Sequence, residues 1–345
     1  MGSGAERVGE HGSDYTWRAF GREDLAAWSV LLAETEAVDQ EDEHHSRDDL
    51  LEKFDDPYRD FPGGSIAAFD GATMVAYCTF RIRTAAEPVH EMWMTGAVHP
   101  EHRGRGLGSR MLAWVAEAAA PLHEQRFPGQ PLTISGGCRL NRSDAMELYA
   151  EHGYEQIRWF NGMWLDLTEE LPEAAVPPGV VVVGFTAERS EDARRVRNES
   201  FRDHWGTHDA TSESWAHRVA ESSFRPALSF LAYEADGEGG LGEPLALVFC
   251  QEFEAALEAT GQRDLHIRTV GTRRPGRKRG LASALLTHAL RQGQAAGFDS
   301  ASLGVDADSP TGALGLYERI GFRVAATFVS QHLVVIPADN SHGVV

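Results

Sequence analysis

Apolar residues follow two rhythms along this chain, and the order of those rhythms comes round twice. Leu25, Trp28, Leu31 and Leu32 fall at helical spacing behind a short extended opening at residues 15–20. Ala193, Val196 and Phe201 do the same behind the run at 180–185. In each half there follows a pair of extended apolar runs folded about Asp-Gly, SIAAFDGATMVAYCTFRI in the first and LSFLAYEADGEGGLGEPLALVFCQEF in the second, which predicts a hairpin. A strand comes next, EMWMTGAV or DLHIRTVG, then a glycine-arginine loop, HRGRGLGS or GRKRGLAS, and a helix, RMLAWVAEAAA or ALLTHALRQGQAAG. A further strand, PLTISGGC or SASLGVD, leads to matching closing phrases, NRSDAMELYAEHGYEQI and DSPTGALGLYERIGFRV. Two copies of one unit are the economical reading.

The stretch TEELPEAAVPPGV separates the copies, and its prolines and acidic residues predict a linker. The expected organisation is an N-terminal domain at 14–167, a linker at 168–179 and a C-terminal domain at 180–337. Hairpin plus strand–helix–strand in each half predicts an α/β fold of the mixed α+β kind, two tandem domains each with a mixed, mostly antiparallel central sheet flanked by helices. HHSRDDLLEKFDDPYRD, near 44–60, predicts a solvated helix face or loop.

Composition narrows the function classes. The 345 residues hold 32 Lys and Arg against 52 Asp and Glu, a net charge of −20, which argues against a nucleic-acid or anionic membrane surface and suits a cationic small molecule. The three cysteines, Cys78, Cys138 and Cys250, have no CxxC spacing, so neither a disulfide framework nor a thiolate metal site is expected, and a reducing cytoplasm fits. The opening MGSGAERVGEHGSD has no apolar core of a signal peptide, and no run of about 18 apolar residues follows. Oligomeric state is not legible.

The loop carries the chemistry. A strand running into Arg103, Gly104, Arg105, Gly106, Leu107, Gly108 and Ser109 brings free backbone N–H groups to the start of a helix, where a pyrophosphate is the natural guest. The glycine spacing is not that of a Rossmann fingerprint, and no Gly-Lys-Ser/Thr of a P-loop follows. His204 and His208 stand four apart, but no HExxH pattern accompanies them and no metal is expected.

R-x-x-G-x-G/A, followed by N-x-x-x-A-x-x-L-Y-x-x-x-G-Y/F, resembles the GCN5-related N-acetyltransferase family. The first half supplies Arg103, Gly106, Gly108, Asn141, Ala145, Leu148, Tyr149, Gly153 and Tyr154; the second supplies Arg277, Gly280, Ala282, Ala313, Leu316, Tyr317, Gly321 and Phe322, with Ser309 where the first has Asn141. The resemblance implies acetyl-CoA as acyl donor, with no metal. It implies donor contacts from Ala97, Val98, the loop 103–109 and Asn141 in one half. In the other they would come from Val270, Gly271, Thr272, Arg277, Lys278, Arg279, Gly280, Leu281, Ala282, Ser283 and Ser309. Arg103 and Arg277 would assist the phosphates, and main-chain N–H groups near Val98 and at 270–272 would polarise the carbonyl.

An amine nucleophile must lose a proton, and the departing thiolate gains from a proton donor. The resemblance gives the acid role to Tyr317 and Tyr149; packing beneath the following turn is the alternative. Period-two alternation puts Asp264, His266 and Arg268 on one face, making His266 a candidate base or else a hydrogen-bonded structural histidine. Its matching position in the first copy is Met92, beside Glu91, which favours the second copy as the catalytic one, while the cleaner loop and intact Asn141 favour the first. Asn198, Asp203, His204 and Trp205, after the first helix of the second copy, are candidate acceptor-binding residues, with capping and packing as the alternative. The expected activity is transfer of acetyl to a primary amine of a small, cationic molecule, with no nucleic-acid or membrane partner. The alternatives are a non-catalytic acyl-CoA-binding module in one or both copies, and a protein-lysine acetyltransferase.

Overall fold

Both halves form their elements in the predicted order. The computed structural model describes residues 15–83, 86, 89–173, 175–202, 209–309 and 312–337. The first run is β1 (Thr16–Arg18), α1 (Leu25–Asp39), α2 (Arg47–Asp55), α3 (Phe61–Gly64), β2 (Ser65–Asp70), β3 (Thr73–Ile82), β4 (His90–Val98), α4 (Leu107–Glu124), β5 (Leu132–Arg139), α5 (Ser143–Glu151) and β6 (Glu155–Asp166). The second is β7 (Val180–Gly184), α6 (Ser190–Phe201), α7 (Ser212–Ala220), β8 (Phe230–Ala235), β9 (Leu241–Gln251), α8 (Glu254–Thr260), β10 (Asp264–Thr272), α9 (Leu281–Ala295), β11 (Ser300–Asp306), α10 (Ala313–Ile320) and β12 (Arg323–Ile336). The short helix α8 has no counterpart in the sequence reading.

Two compact units result, but their limits differ from those read off the repeat. One holds the described residues up to Ile157 together with those from Ser330 on, and the other holds Arg158–Val329. Strand pairing, which ignores chain order, is the reason. In the second unit β6 pairs antiparallel with β11, from Phe160↔Asp306 to Asp166↔Ser300. In the first, β12 neighbours β5. Each unit thus takes its closing strand from the other repeat.

In the first unit β1 to β4 pair antiparallel in sequence order, and β4 then pairs parallel with β5. Alternation splits the sheet residues between two faces. Cys78, Phe80, Met92, Met94, Leu132 and Ile134 meet Met111, Val115 and Ala119 of α4, while Ala67, Phe69, Met74 and Tyr77 meet Trp28 and Leu31 of α1 and Leu50 of α2. The second unit repeats this with α9 on one face and α6 and α7 on the other. The acidic stretch near 44–60 is more than a solvated face. Ser46 caps α2 by accepting from the Asp49 N–H at 3.1 Å, and Leu50 of that helix is fully buried. The described linker residues run along α9, where Gln294 donates to the carbonyls of Leu167 and Glu169 at 2.6 and 2.9 Å.

One feature of both sheets positions the site. The parallel rungs between β4 and β5 run only from His90↔Leu132 to Trp93↔Ser135, and those between β10 and β11 only from Asp264↔Ser300 to His266↔Ser302. Beyond these last rungs the paired strands part.

Candidate active site

The glycine-arginine loops have one conformation in both units. Gly104 and Gly106 take φ of 71° and 79°, and Lys278 and Gly280 take 61° and 81°. The left-handed position just before the helix is where glycine is needed. α4 and α9 begin at Leu107 and Leu281, three residues ahead of the predicted starts, so Leu107, Gly108 and Ser109 form a first turn whose N–H groups have no intrahelical acceptor. A Cβ on Gly108 would stand 2.7 Å from Leu148 Cδ2 on α5; the second unit carries Ala282 at this place.

The two loop arginines brace the loop from behind. Arg103 Nε donates to the Val98 carbonyl at 3.2 Å, and its guanidinium forks onto Asp39 at the end of α1 at 2.8 and 2.6 Å. Arg142 reaches the same carboxylate at 2.6 Å. Arg277 repeats the first contact on the Thr272 carbonyl at 3.3 Å and adds one to the Ser200 carbonyl, also at 3.3 Å. Arg105 donates to Tyr15 and to the Glu101 carbonyl, and Arg279 forks onto Glu234.

In the first unit a cavity of about 460 Å³ opens where β4 and β5 part. It brings together Ala97, Val98, Arg103, Gly104, Gly106, Leu107, Gly108, Ser109 and Tyr149 of the predicted set, while Arg105 and the exposed Asn141 are not among its lining residues. Asp39, Gly137, Cys138 and Arg142 also line it and were missed by the sequence reading, which had no local signal for an α1 carboxylate reaching the loop. The corresponding residues Val270, Gly271, Thr272, Leu281, Ala282 and Ser283 occupy the end of β10 and the first turn of α9. Ser309 sits on the turn into α10, its N–H donating to the Asp306 carbonyl at 3.1 Å.

Tyr149 stands at the gap, its Oη 2.7 Å from where a Cβ on Gly136 of β5 would lie. Burial pushes its phenol well above the ordinary range, and the same cause raises Tyr317 to about 12, so both are protonated at neutral pH.

His266 lies on the last rung of the second gap, its Nδ1 3.0 Å from Ser302 Oγ, and the Ser302 hydroxyl donates to Asp264 Oδ2. Ser300 donates to the other oxygen of that carboxylate at 2.6 Å. A serine that gives its proton to Asp264 must accept from His266, which places the ring proton on Nδ1 and the lone pair on Nε2. Burial, assisted by Arg268, pulls His266 down to about 4, so the ring is neutral at pH 7.

The match of His266 with Met92 does not survive. A bulge leaves Arg268 between the rungs at Ile267 and Thr269, whereas β4 pairs with β3 without interruption. One extra residue turns every preceding side chain to the opposite face. By face and rung Leu265 answers to Met92, His266 to Trp93 and Asp264 to Glu91.

Asn198 is buried, with its amide used on the backbone of Ala210: Nδ2 donates to the carbonyl at 3.0 Å and Oδ1 accepts from the N–H at 2.8 Å. Those two bonds tie the end of α6 to the backbone at Ala210. Asp203, His204 and Trp205 lie outside the described residues.

The acetyltransferase (GNAT) family model matches residues 26–154 and again 190–322. The chain belongs to that family. As a tandem acetyltransferase it resembles the mycothiol acetyltransferase of Clavibacter michiganensis subsp. michiganensis, 32% identical over 236 residues that cover 67% of this chain and 69% of that one. The mycothiol acetyltransferase of Streptomyces coelicolor is 29% identical over 302 residues, 85% of this chain and 87% of that one. Among solved structures, a GCN5-related N-acetyltransferase from Sphaerobacter thermophilus shares the fold with a TM-score of 0.75 at 24% identity, covering 94% of this chain and 97% of that one. A tandem GNAT protein from the clavulanic acid biosynthesis pathway gives 0.65 at 15% identity, over 94% and 100%. The chain is therefore an acyltransferase of two GNAT regions. GNAT enzymes use acetyl-CoA as acyl donor. Among the described residues no helix is long and apolar enough to cross a membrane.

Proposed function

We propose that this acetyltransferase moves the acetyl group of acetyl-CoA to a primary amine of a small, cationic molecule, by direct attack within a ternary complex in the second unit. The observation that carries the reading is His266 on the last rung before the strands part, held by Ser302 and Asp264. A thioester lying in the gap would meet an amine on the face where Nε2 presents its lone pair. His266 takes the ammonium proton, directly or through water; the amine attacks the carbonyl carbon; backbone N–H groups at 270–272 polarise the oxygen; and Tyr317 gives its proton to the departing sulfur. The net charge of −20 supports a cationic acceptor, and the curated relatives named mycothiol acetyltransferase support a small molecule rather than a protein lysine. Three buried, unbridged cysteines support a reducing compartment.

The test is incubation with acetyl-CoA and a panel of primary amines, with N-acetyl products read by mass. The panel comprises glucosamine, 1,4-diaminobutane, lysine and mycothiol stripped of its acetyl group. Product from at least one amine is expected, and none above the uncatalysed rate would defeat the proposal.

A further inference from the structure

The first unit repeats the proton-handling arrangement with residues from different strands. On the last rung of its gap stands Ser135, fully buried, whose hydroxyl donates to Glu91 Oε1. His332 Nε2 lies 2.9 Å from the same hydroxyl and 3.6 Å from that carboxylate oxygen. Arg83 pairs with the other oxygen of Glu91. Ser135 answers to Ser302 and Glu91 to Asp264 by rung and face. The histidine differs in origin: β10 supplies it in the second unit, and β12 in the first.

We propose that the first unit is a second acetyl-transfer site, in which the Glu91–Ser135–His332 set takes the proton of a primary amine acceptor and Tyr149 protonates the leaving thiolate.

The geometry divides these roles across the gap. Gly136 faces Tyr149 Oη, and its neighbour Ser135, by alternation, faces the opposite side of the sheet. The cavity where these strands part contains Tyr149 and the loop N–H groups. A thioester entering from the loop would thus have the acid at its sulfur, and the histidine set would be across the sheet where the amine arrives. Because Ser135 gives its proton to Glu91, it accepts from His332 Nε2–H, and the lone pair of that ring lies on Nδ1. Burial holds His332 below its ordinary value against the pull of Glu91, so at neutral pH the ring starts without the proton it must take.

Atoms balance as follows. An ammonium acceptor gives one proton to the His332 set, which passes it to solvent. The nitrogen forms the C–N bond, the C–S bond breaks, and the second nitrogen proton goes to solvent while the sulfur takes the Tyr149 proton, which solvent restores. The products are an amide, the thiol of CoA and one net proton. Ser135 and Glu91 are positioning residues here.

This inference rests on the proposed acetyl transfer, and the experiment separates the two. The second unit is silenced by combining H266Q with Y317F, and N-acetyl product is measured with acetyl-CoA and the same panel of glucosamine, 1,4-diaminobutane, lysine and mycothiol without its acetyl group. The doubly altered chain should still form product. Adding S135A or H332Q should lower the kcat of that remainder at least tenfold, with KM for acetyl-CoA unchanged. No product from the H266Q/Y317F chain, or a remainder indifferent to S135A and H332Q, would overturn the second site. Should H332Q fail to fold, S135A decides. An unaltered chain without product would remove both proposals.

Discussion

The base role proposed for His266 needs a lone pair held in place, and Ser302, which donates to Asp264 and accepts from the ring, keeps the ring proton on Nδ1. Removing His266 Nε2 by His266→Gln should lower kcat in the second unit about 10²- to 10⁴-fold, the usual range for a positioned base, as measured by product formation in a chain whose first unit is silenced by Y149F. Ser302→Ala should cost less, about tenfold, because the ring stays but loses its orientation. The pH profile carries a separate signature. With His266 near 4, the base is already neutral across the working range, so the acid limb of kcat/KM should follow the acceptor amine alone, with no inflection near 6.5. Stability has its own sign. His45 is held at about 3 by burial and then by the Lys53 ammonium, and His266 at about 4, both below the ordinary imidazole value. Between those values and 6.5 the unfolded chain binds more protons than the folded one. Stability is therefore full above 6.5 and falls as pH drops through the window, by up to about 3 kcal/mol for His266 and about 5 kcal/mol for His45. A urea midpoint that does not move between pH 7 and pH 4.5 would contradict both assignments.

At the scale of elements, the strand–loop–helix joint does what its glycines permit. Gly106, at φ 79°, caps α4, and Gly106→Ala forces a side chain into the left-handed region at a cost of about 1–2 kcal/mol. The outcome to look for is a lower unfolding midpoint together with loss of acetyl-CoA binding in the first unit, read by calorimetry. Much of this level was legible in the sequence. Periods of two and 3.6 located strands and helices, and the paired glycine-arginine motifs located both strand–loop–helix joints. The missing parts share one physical cause, since they depend on residues meeting across strands. No local pattern marks Arg268 as the extra residue of a bulge, so His266 was matched to Met92 on the wrong face. Asp39 is ordinary in sequence until α1 carries it to Arg103. Ser135 and Ser302 lie in unremarkable strands, and only the rung at which pairing stops gives them meaning. His332 was invisible because its strand belongs to the other repeat.

For the whole molecule, two copies of the loop predict two acetyl-CoA per chain, and a titration that saturates at one would mean that a copy has lost donor binding. The exchanged strands carry a sharper expectation. A chain cut after Asp166 retains every first-repeat element but lacks Ser330–Ile336, so β5 loses its neighbour and the apolar residues Leu333, Val335 and Ile336 leave the core they pack against. Such a fragment should aggregate or stay partly unfolded, whereas residues 15–157 joined by a flexible linker to 330–337 should give a cooperative unfolding transition.

That exchange also sets a schedule for biosynthesis. The first unit cannot close its sheet when its own repeat leaves the ribosome, because its last strand is encoded about 170 residues downstream, a wait of roughly ten to thirty seconds at ordinary elongation rates. During that interval β5 stands as an open edge on the nascent chain. The N-terminal repeat therefore matures only once residues 330–336 have been made, and slow codons in the second half would lengthen its exposure to chaperones and proteases.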